Sequence, residues 1–270
     1  MNIHYIKDWD DPGLIPYRSL VNNSLPGISY FIAETHTVIQ NAIESGCVPL
    51  SFLAAEKYIY GRDKDILELF PDVTVYTAPE AELEKLTGYK LTRGILSAME
   101  RPASRSESDL IISAERLVVL ENVQDASNVG AIMRSACGLG MDGIILDRSC
   151  CDPLHRKAVR TSMGAVFRIP WIKSELAGHE LSDVLNRNGF MTIALTLSPE
   201  AIPIQKVFES APAKCALFLG NEGNGLNRET VTNCQNAAII PMMNNMDSLN
   251  VAAAAAIVFW ASNQSRKQSD

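Results

Sequence analysis

The chain has 270 residues, 47% of them apolar and 20% charged, with a formal net charge of −7. That length exceeds what one compact domain usually needs, and the composition excludes a disordered chain. The acidic balance by itself argues against a nucleic-acid partner, since phosphate binders are usually basic overall, and the longest apolar run, Val251–Ala261, is too short to span a bilayer. The opening MNIHYIKDWDDPG has no basic stretch followed by an apolar run, so a cytoplasmic protein with no membrane attachment is expected. From Ser24 to Gly94 helix-like and strand-like pieces alternate, as in TVIQNAIESG with a period near 3.6 followed by the apolar run VPLSFLAA. A small α/β domain follows from this pattern. RPASRSES at Arg101–Ser108 is polar and carries Pro and Ser, the composition of a connecting segment. The expected organisation is a domain over 1–104, a linker over 105–112 and a larger domain over 113–270.

Beyond the linker, RLVVLENV is a buried strand, SNVGAIMRSACGLG a helix opened by a Ser or Asn cap, and DGIILD a second strand. MTIALTL and KCALFLG are further strands, and Leu249–Ala261 is an Ala-rich helix with Asn250 near its start. Strands alternating with helices predict a mostly parallel sheet, whose ligands bind at the carboxyl ends of the strands. Charge is unevenly placed: residues 1–112 hold 10 Lys and Arg against 16 Asp and Glu, and the remainder is close to neutral. His155, Arg156, Lys157, Arg160 and Arg168 form a local basic cluster that could follow a phosphate backbone, although a solvated face is the plainer account. The six cysteines show no CxxC spacing and fit a reducing compartment; the four histidines stand far apart, so no metal is expected.

Three loops carry chemistry. Gly138, Gly140 and Gly143 match GxGxxG by letter, but they close a helix and start a strand, the reverse of a dinucleotide fingerprint. LGNEGNGL, Leu219–Leu226, lies where a parallel-sheet ligand loop belongs. A plain turn accounts for its glycines but not for Glu222 held between them, and Leu226 after Gly225 excludes a nucleotide-triphosphatase loop. IIPMMNNMDSLN then puts Ser248, Leu249 and Asn250 at the mouth of the last helix, where Ser248 or Asn250 could serve as a cap alone.

In that order, ENVQDASNVGAIMRSA, LFLGNEGNGL and IPMMNNMDSLNVAAAAA resemble the three signature motifs of the SpoU-type RNA ribose 2′-O-methyltransferases of the SPOUT superfamily, over roughly residues 113–262. TGYKLTRGILSAMERP more loosely resembles the exit of the small substrate-binding domain found in that family. The resemblance implies an α/β fold with a trefoil-knotted C-terminal domain, S-adenosylmethionine as methyl donor, RNA (ribosomal or transfer) as substrate, and a homodimer. It further implies donor contacts at Thr196, Leu219, Gly220, Ile240, Met242 and Leu249, and residues around the reacting hydroxyl at Asn128, Arg134, Glu222, Ser248 and Asn250. Arg134 would be essential, holding ribose and phosphate.

Two departures stand out. Asn244 replaces a usual glycine after IPM, a position where asparagine tolerates positive φ, and Ala126 replaces a usual proline. A catalytically silent RNA-binding protein of the same fold would be expected to have lost Arg134, Asn128 or the SLN triplet, and all are present. A nicotinamide-dependent oxidoreductase is disfavoured by the misplaced glycines.

Overall fold

The computed structural model describes every residue except 19, 21–28, 92–93, 210–211, 245 and 268–270. Ser24, Thr92, Arg93 and Asn245, which belong to stretches read above, therefore lie outside the described residues. The chain divides into two compact units, Met1–Ala103 with Leu154–Phe167, and Ser104–Pro153 with Arg168–Asp270.

The strands of the first unit are β1 (Asn2–Tyr5), β2 (Tyr30–Glu34), β3 (Pro49–Ala54), β4 (Thr74–Thr77) and β5 (Ile95–Glu100), in the order β1-β4-β3-β5-β2. β4 runs parallel to β1 and β3, and β5 runs antiparallel to β3 and β2. Helix α1 (His36–Glu44) falls on TVIQNAIESG and buries Val38, Ile39 and Ala42, the i, i+1, i+4 face that its period predicts. α2 (Glu56–Ile59), α3 (Lys64–Glu68) and α4 (Glu80–Thr87) complete the layer. Tyr17 is fully buried because its hydroxyl is satisfied, by Ser51 Oγ at 2.8 Å and the Ala98 amide at 3.2 Å. β1 and the short 3₁₀ turn Pro12–Tyr17 were not foreseen, since NIHY is largely exposed and has no apolar alternation.

In the second unit α5 (Glu107–Ser113) leads into β6 (Arg116–Leu120), α6 (Ala126–Gly138) and β7 (Gly143–Leu146). After α7 (Arg156–Thr161) and α8 (Ala165–Arg168) come β8 (Trp171–Lys173), α9 (Gly178–Arg187), β9 (Met191–Leu195), β10 (Ile202–Pro203), α10 (Ile204–Glu209), β11 (Cys215–Leu219), α11 (Arg228–Asn233), β12 (Asn236–Ile239) and α12 (Val251–Lys267). The sheet order is β10-β12-β9-β11-β6-β7-β8, with every neighbouring pair parallel. RLVVL, GIIL and CALFL are buried along their whole length, as expected for strands covered on both faces. Among the described residues no helix is long and apolar enough to cross a membrane.

Several expectations change. Most of 105–112 is helix α5 and not linker: Ser106 Oγ accepts from the Asp109 amide at 3.3 Å as its cap, and Leu110 and Ile111 are buried. Leu110 lies over the start of β7, where a Cβ on Gly143 would come within 2.6 Å of its methyl carbon. Polar, Ser-rich sequence reads alike as linker and as helix cap. The cap of α6 is Asp125, ahead of the Ser and Asn expected, and its carboxylate accepts from the amides of Ser127 (2.6 Å) and Asn128 (3.2 Å). Gly138 ends α6, Gly140 follows at φ 75° and Gly143 opens β7, as turn glycines should.

The basic cluster also differs from a phosphate-following row. Segment 154–167 belongs to the first unit, and Arg156 lies 3.3 Å and Arg160 3.9 Å from the Glu34 carboxylate, which is only 7% exposed. Arg156 also stacks 4.4 Å over the Tyr89 ring. A buried carboxylate needs such partners, so these two arginines compensate an internal charge.

Candidate active site

In a parallel sheet the strand ends and following loops gather on one edge. Here the carboxyl ends of β9, β11 and β12 stand side by side, because β9 lies between β11 and β12. They frame a cavity of about 330 Å³, within the size range of small-molecule sites. Thr196 closes β9, its amide donating to Ala238 O at 3.0 Å; Leu219 and Gly220 close β11; Ile240 and Met242 follow β12. Leu249 and Ser248 enter from the mouth of α12. All six residues expected to contact a donor therefore line one cavity, with Glu222 and Ser248 on its polar side. Leu195, Leu226, Val251 and Ala254 add apolar wall that sequence reading missed; the available signal was their position at strand ends and at the first turns of α12.

The LGNEGNGL loop is stiff for local reasons. Asn221 and Gly225 exchange backbone hydrogen bonds of 3.1 and 2.9 Å, and Gly225 takes φ 68°. The Asn221 side chain accepts from the amides of Gly223 (2.8 Å) and Asn224 (3.2 Å) and donates to Asn122 O (2.9 Å). Asn221 thus closes an Asx turn and ties this loop to the one after β6. Gly220 is needed for a reason other than ligand approach: a Cβ there would stand 2.2 Å from Gly225 C.

Beside the cavity, residues from all three motif segments meet. Asn128 on α6 donates to Glu222 Oε1 at 2.5 Å, and its amide oxygen accepts from Asn250 at 3.1 Å. A carboxylate only accepts, so this orientation of the Asn128 amide is the one that satisfies both neighbours. Asn250 Oδ1 also accepts from the Ala252 amide at 2.9 Å, so Asn250 is helix cap and site member at once. Asn244 takes φ 55°, a left-handed conformation that asparagine tolerates better than most residues other than glycine. Arg134 stands apart from this chain. It is exposed on α6, and six residues beyond Asn128 means about 120° round the helix and about 9 Å along it.

The loop after β6 rests on Asp147, 3% exposed, whose Oδ1 accepts from the amides of Asn122 (3.1 Å), Ser149 (3.0 Å) and Cys150 (3.0 Å). Asn122 takes φ 54° there. Burial pushes the Cys150 thiol well above the usual range, and it donates to Leu120 O at 3.2 Å. Among the described residues no three His, Cys, Asp or Glu side chains are grouped to hold a metal ion.

Comparison with known proteins agrees with this arrangement. Residues 115–260 match the SpoU rRNA Methylase family. An uncharacterized tRNA/rRNA methyltransferase of Mycobacterium bovis is 32% identical over 96% of this chain and 91% of its own length. The 23S rRNA (guanosine(2553)-2′-O)-methyltransferase RlmP of Bacillus subtilis is 24% identical over 94% of each chain. Among solved structures, an AdoMet-bound rRNA methyltransferase from Sinorhizobium meliloti superposes with a TM-score of 0.82 at 22% identity, covering 97% of this chain and 98% of that one. That likeness carries the fold, an α/β domain on an all-parallel sheet accompanied by a smaller α/β domain. Motif order, the cavity at the strand ends and the matched residues lead to one assignment: the chain belongs to the SpoU rRNA methylase family.

Proposed function

We propose that the protein transfers a methyl group from S-adenosylmethionine to a ribose 2′-hydroxyl of RNA. The observation that carries the reading is the cavity at the ends of β9, β11 and β12, into which the expected donor residues converge beside the Glu222–Asn128–Asn250 chain. Its apolar walls suit a flat adenine ring, and Glu222 and Ser248 offer an acid and a hydroxyl to a ligand with a cationic centre and ribose hydroxyls. Thr196, Leu219, Gly220, Ile240, Met242 and Leu249 would hold the donor, which when bound supplies an electrophilic methyl on sulfur. In the transfer the ribose oxygen would bond to the methyl carbon as its bond to sulfur breaks, leaving S-adenosylhomocysteine and releasing the hydroxyl proton to solvent.

Ribose oxygen is a poor nucleophile until it is oriented and its proton drawn away. Arg134 holds the ribose and its phosphate through the planar fork of its guanidinium N–H donors. Asn128, positioned by Glu222, and Ser248 with Asn250 orient the ribose and the donor. No aromatic residue occurs in the three motif loops, which favours a backbone hydroxyl over a flipped base as the target. Residues 1–104 are assigned to RNA binding on the resemblance of their exit segment. With six free cysteines, the cytoplasm suits the chain.

We further infer a two-fold homodimer. α12 exposes positions 253, 257, 260 and 264, one stripe at helical spacing that carries Ile257 (41% exposed) and Trp260 (58%).

The reaction is tested by labelling RNA with radioactive methyl donor, hydrolysing it fully in alkali and separating the products. Methylation of the 2′-oxygen removes the internal nucleophile of RNA hydrolysis, so label is expected in alkali-stable dinucleotides. Label in mononucleotides defeats the reading.

A further inference from the structure

Glu121 is an acidic residue where the sequence shows only the end of an apolar strand. Its amide still pairs with β11, donating to Leu219 O at 2.9 Å, and its side chain is 1% exposed. Burying a carboxylate is costly unless donors surround it. Both carboxylate oxygens have one, and both donors lie where the chain leaves the cavity loop. Oε1 accepts from the Asn227 amide at 2.6 Å, and Oε2 accepts from Thr230 Oγ1 at 2.5 Å. On the other side the carboxylate faces the Cα of Gly178, where a Cβ would come within 1.6 Å of Oε2. The pocket for this carboxylate is therefore cut to shape from α9 and α11.

The loop carrying Glu222 is pinned at three places. At its start Gly220 lies against the Gly225–Leu226 backbone; within it Asn221 holds the turn and ties it to Asn122; at its end Asn227 is held by Glu121. The first two are internal to the loop or shared with a neighbouring loop. The third fixes the loop to the rigid sheet, through the residue that follows β6.

We propose that Glu121 is a positioning residue for the donor site: by anchoring Asn227 and Thr230 it sets the place of loop 220–226, and with it the cavity wall and Glu222. It touches neither donor nor RNA. The inference rests on the donor site proposed above, and it concerns hydrogen-bond acceptance and not charge. A glutamine would keep the arrangement, its amide oxygen accepting from Asn227 and its amide nitrogen donating to the Thr230 hydroxyl. Methionine has similar length and no comparable acceptor, and leaves the Asn227 amide unsatisfied.

The experiment measures S-adenosylhomocysteine binding by calorimetry, KM for donor and for RNA, and thermal midpoint in wild type, Glu121→Met, Glu121→Gln and Thr230→Val. Glu121→Met is expected to weaken donor binding by about tenfold or more and raise the donor KM in step, with RNA KM within about twofold. Glu121→Gln is expected to restore binding to within about threefold of wild type, and Thr230→Val to fall between. Wild-type protein that binds no S-adenosylhomocysteine overturns the donor-site reading itself. Binding in wild type that is unchanged in Glu121→Met overturns the Glu121 proposal alone. So does equal loss in Met and Gln variants, or a loss in which donor KM, RNA KM and thermal midpoint all move together. If Glu121→Met does not fold, Thr230→Val decides: unchanged donor binding there overturns the proposal.

Discussion

Gly220→Ala is a sharp probe of how the cavity is built. A Cβ at this position would stand 2.2 Å from Gly225 C, 2.3 Å from Leu226 N and 2.4 Å from Gly225 O. All three are backbone atoms, so no side-chain rotation relieves the clash. Carbon contacts rest near ~3.5 Å, so the loop must open by about 1 Å. Overpacking costs about 1–3 kcal/mol, and opening strains the two Asn221–Gly225 backbone bonds, each contributing about 1 kcal/mol net. Together these give about 3–5 kcal/mol, and a domain of this size loses roughly 2–4 °C per kcal/mol. The cost divides between two readouts. If the whole domain bears it, the thermal midpoint falls by roughly 10 °C; if the loop yields first, the midpoint moves less and donor binding weakens by about a hundredfold or more. The assay is a thermal melt together with calorimetric titration of S-adenosylhomocysteine. A midpoint within about 2 °C of wild type with unchanged binding would refute the reasoning.

Arg134→Ala should cut turnover by about a hundredfold or more while leaving donor binding nearly intact, because Arg134 stands outside the donor cavity; lysine should rescue only in part. Wild-type turnover in single-turnover kinetics would end that role. Light scattering should give a mass of about twice 29.6 kDa, and Trp260→Glu should shift the protein toward monomer; a wild-type monomer at working concentration refutes the dimer. Thiol labelling of the native protein at pH 8 should be slow at Cys234, whose thiol burial pushes up to about 12, and at Cys150, pushed up further by burial and by Asp147. A raised value keeps those two thiols protonated and unreactive below it, and their burial keeps reagent away, whereas Cys137 is partly exposed and should be reached before them. Equal rates at all cysteines would contradict the packing.

Much of this protein is legible along the chain. RLVVL, GIIL and CALFL are apolar throughout because a parallel strand is buried on both faces, and the polar loops after them mark the edge where ligands bind. The six residues that the family resemblance implies as donor contacts line one cavity at that edge. Elements whose signal is weaker were missed or misread: β1 is largely exposed, and α5 has a cap that looks like a linker. Of the pairings between distant residues, only Glu222 with Asn128 was among those the family resemblance implied, as an alternative to Glu222 with Arg134. Asn128 and Glu222 are 94 positions apart, Asn128 and Asn250 122 apart, and Glu121 and Thr230 109 apart. Arg156, in a basic cluster for which a solvated face is the plainer reading along the chain, instead pairs with Glu34, also 122 positions away. Periodicity reports which face of an element is buried, because that depends on the residue's own solvation. Which charge meets which depends on strand order, and the non-consecutive order β12-β9-β11-β6 is set by the packing of the whole sheet.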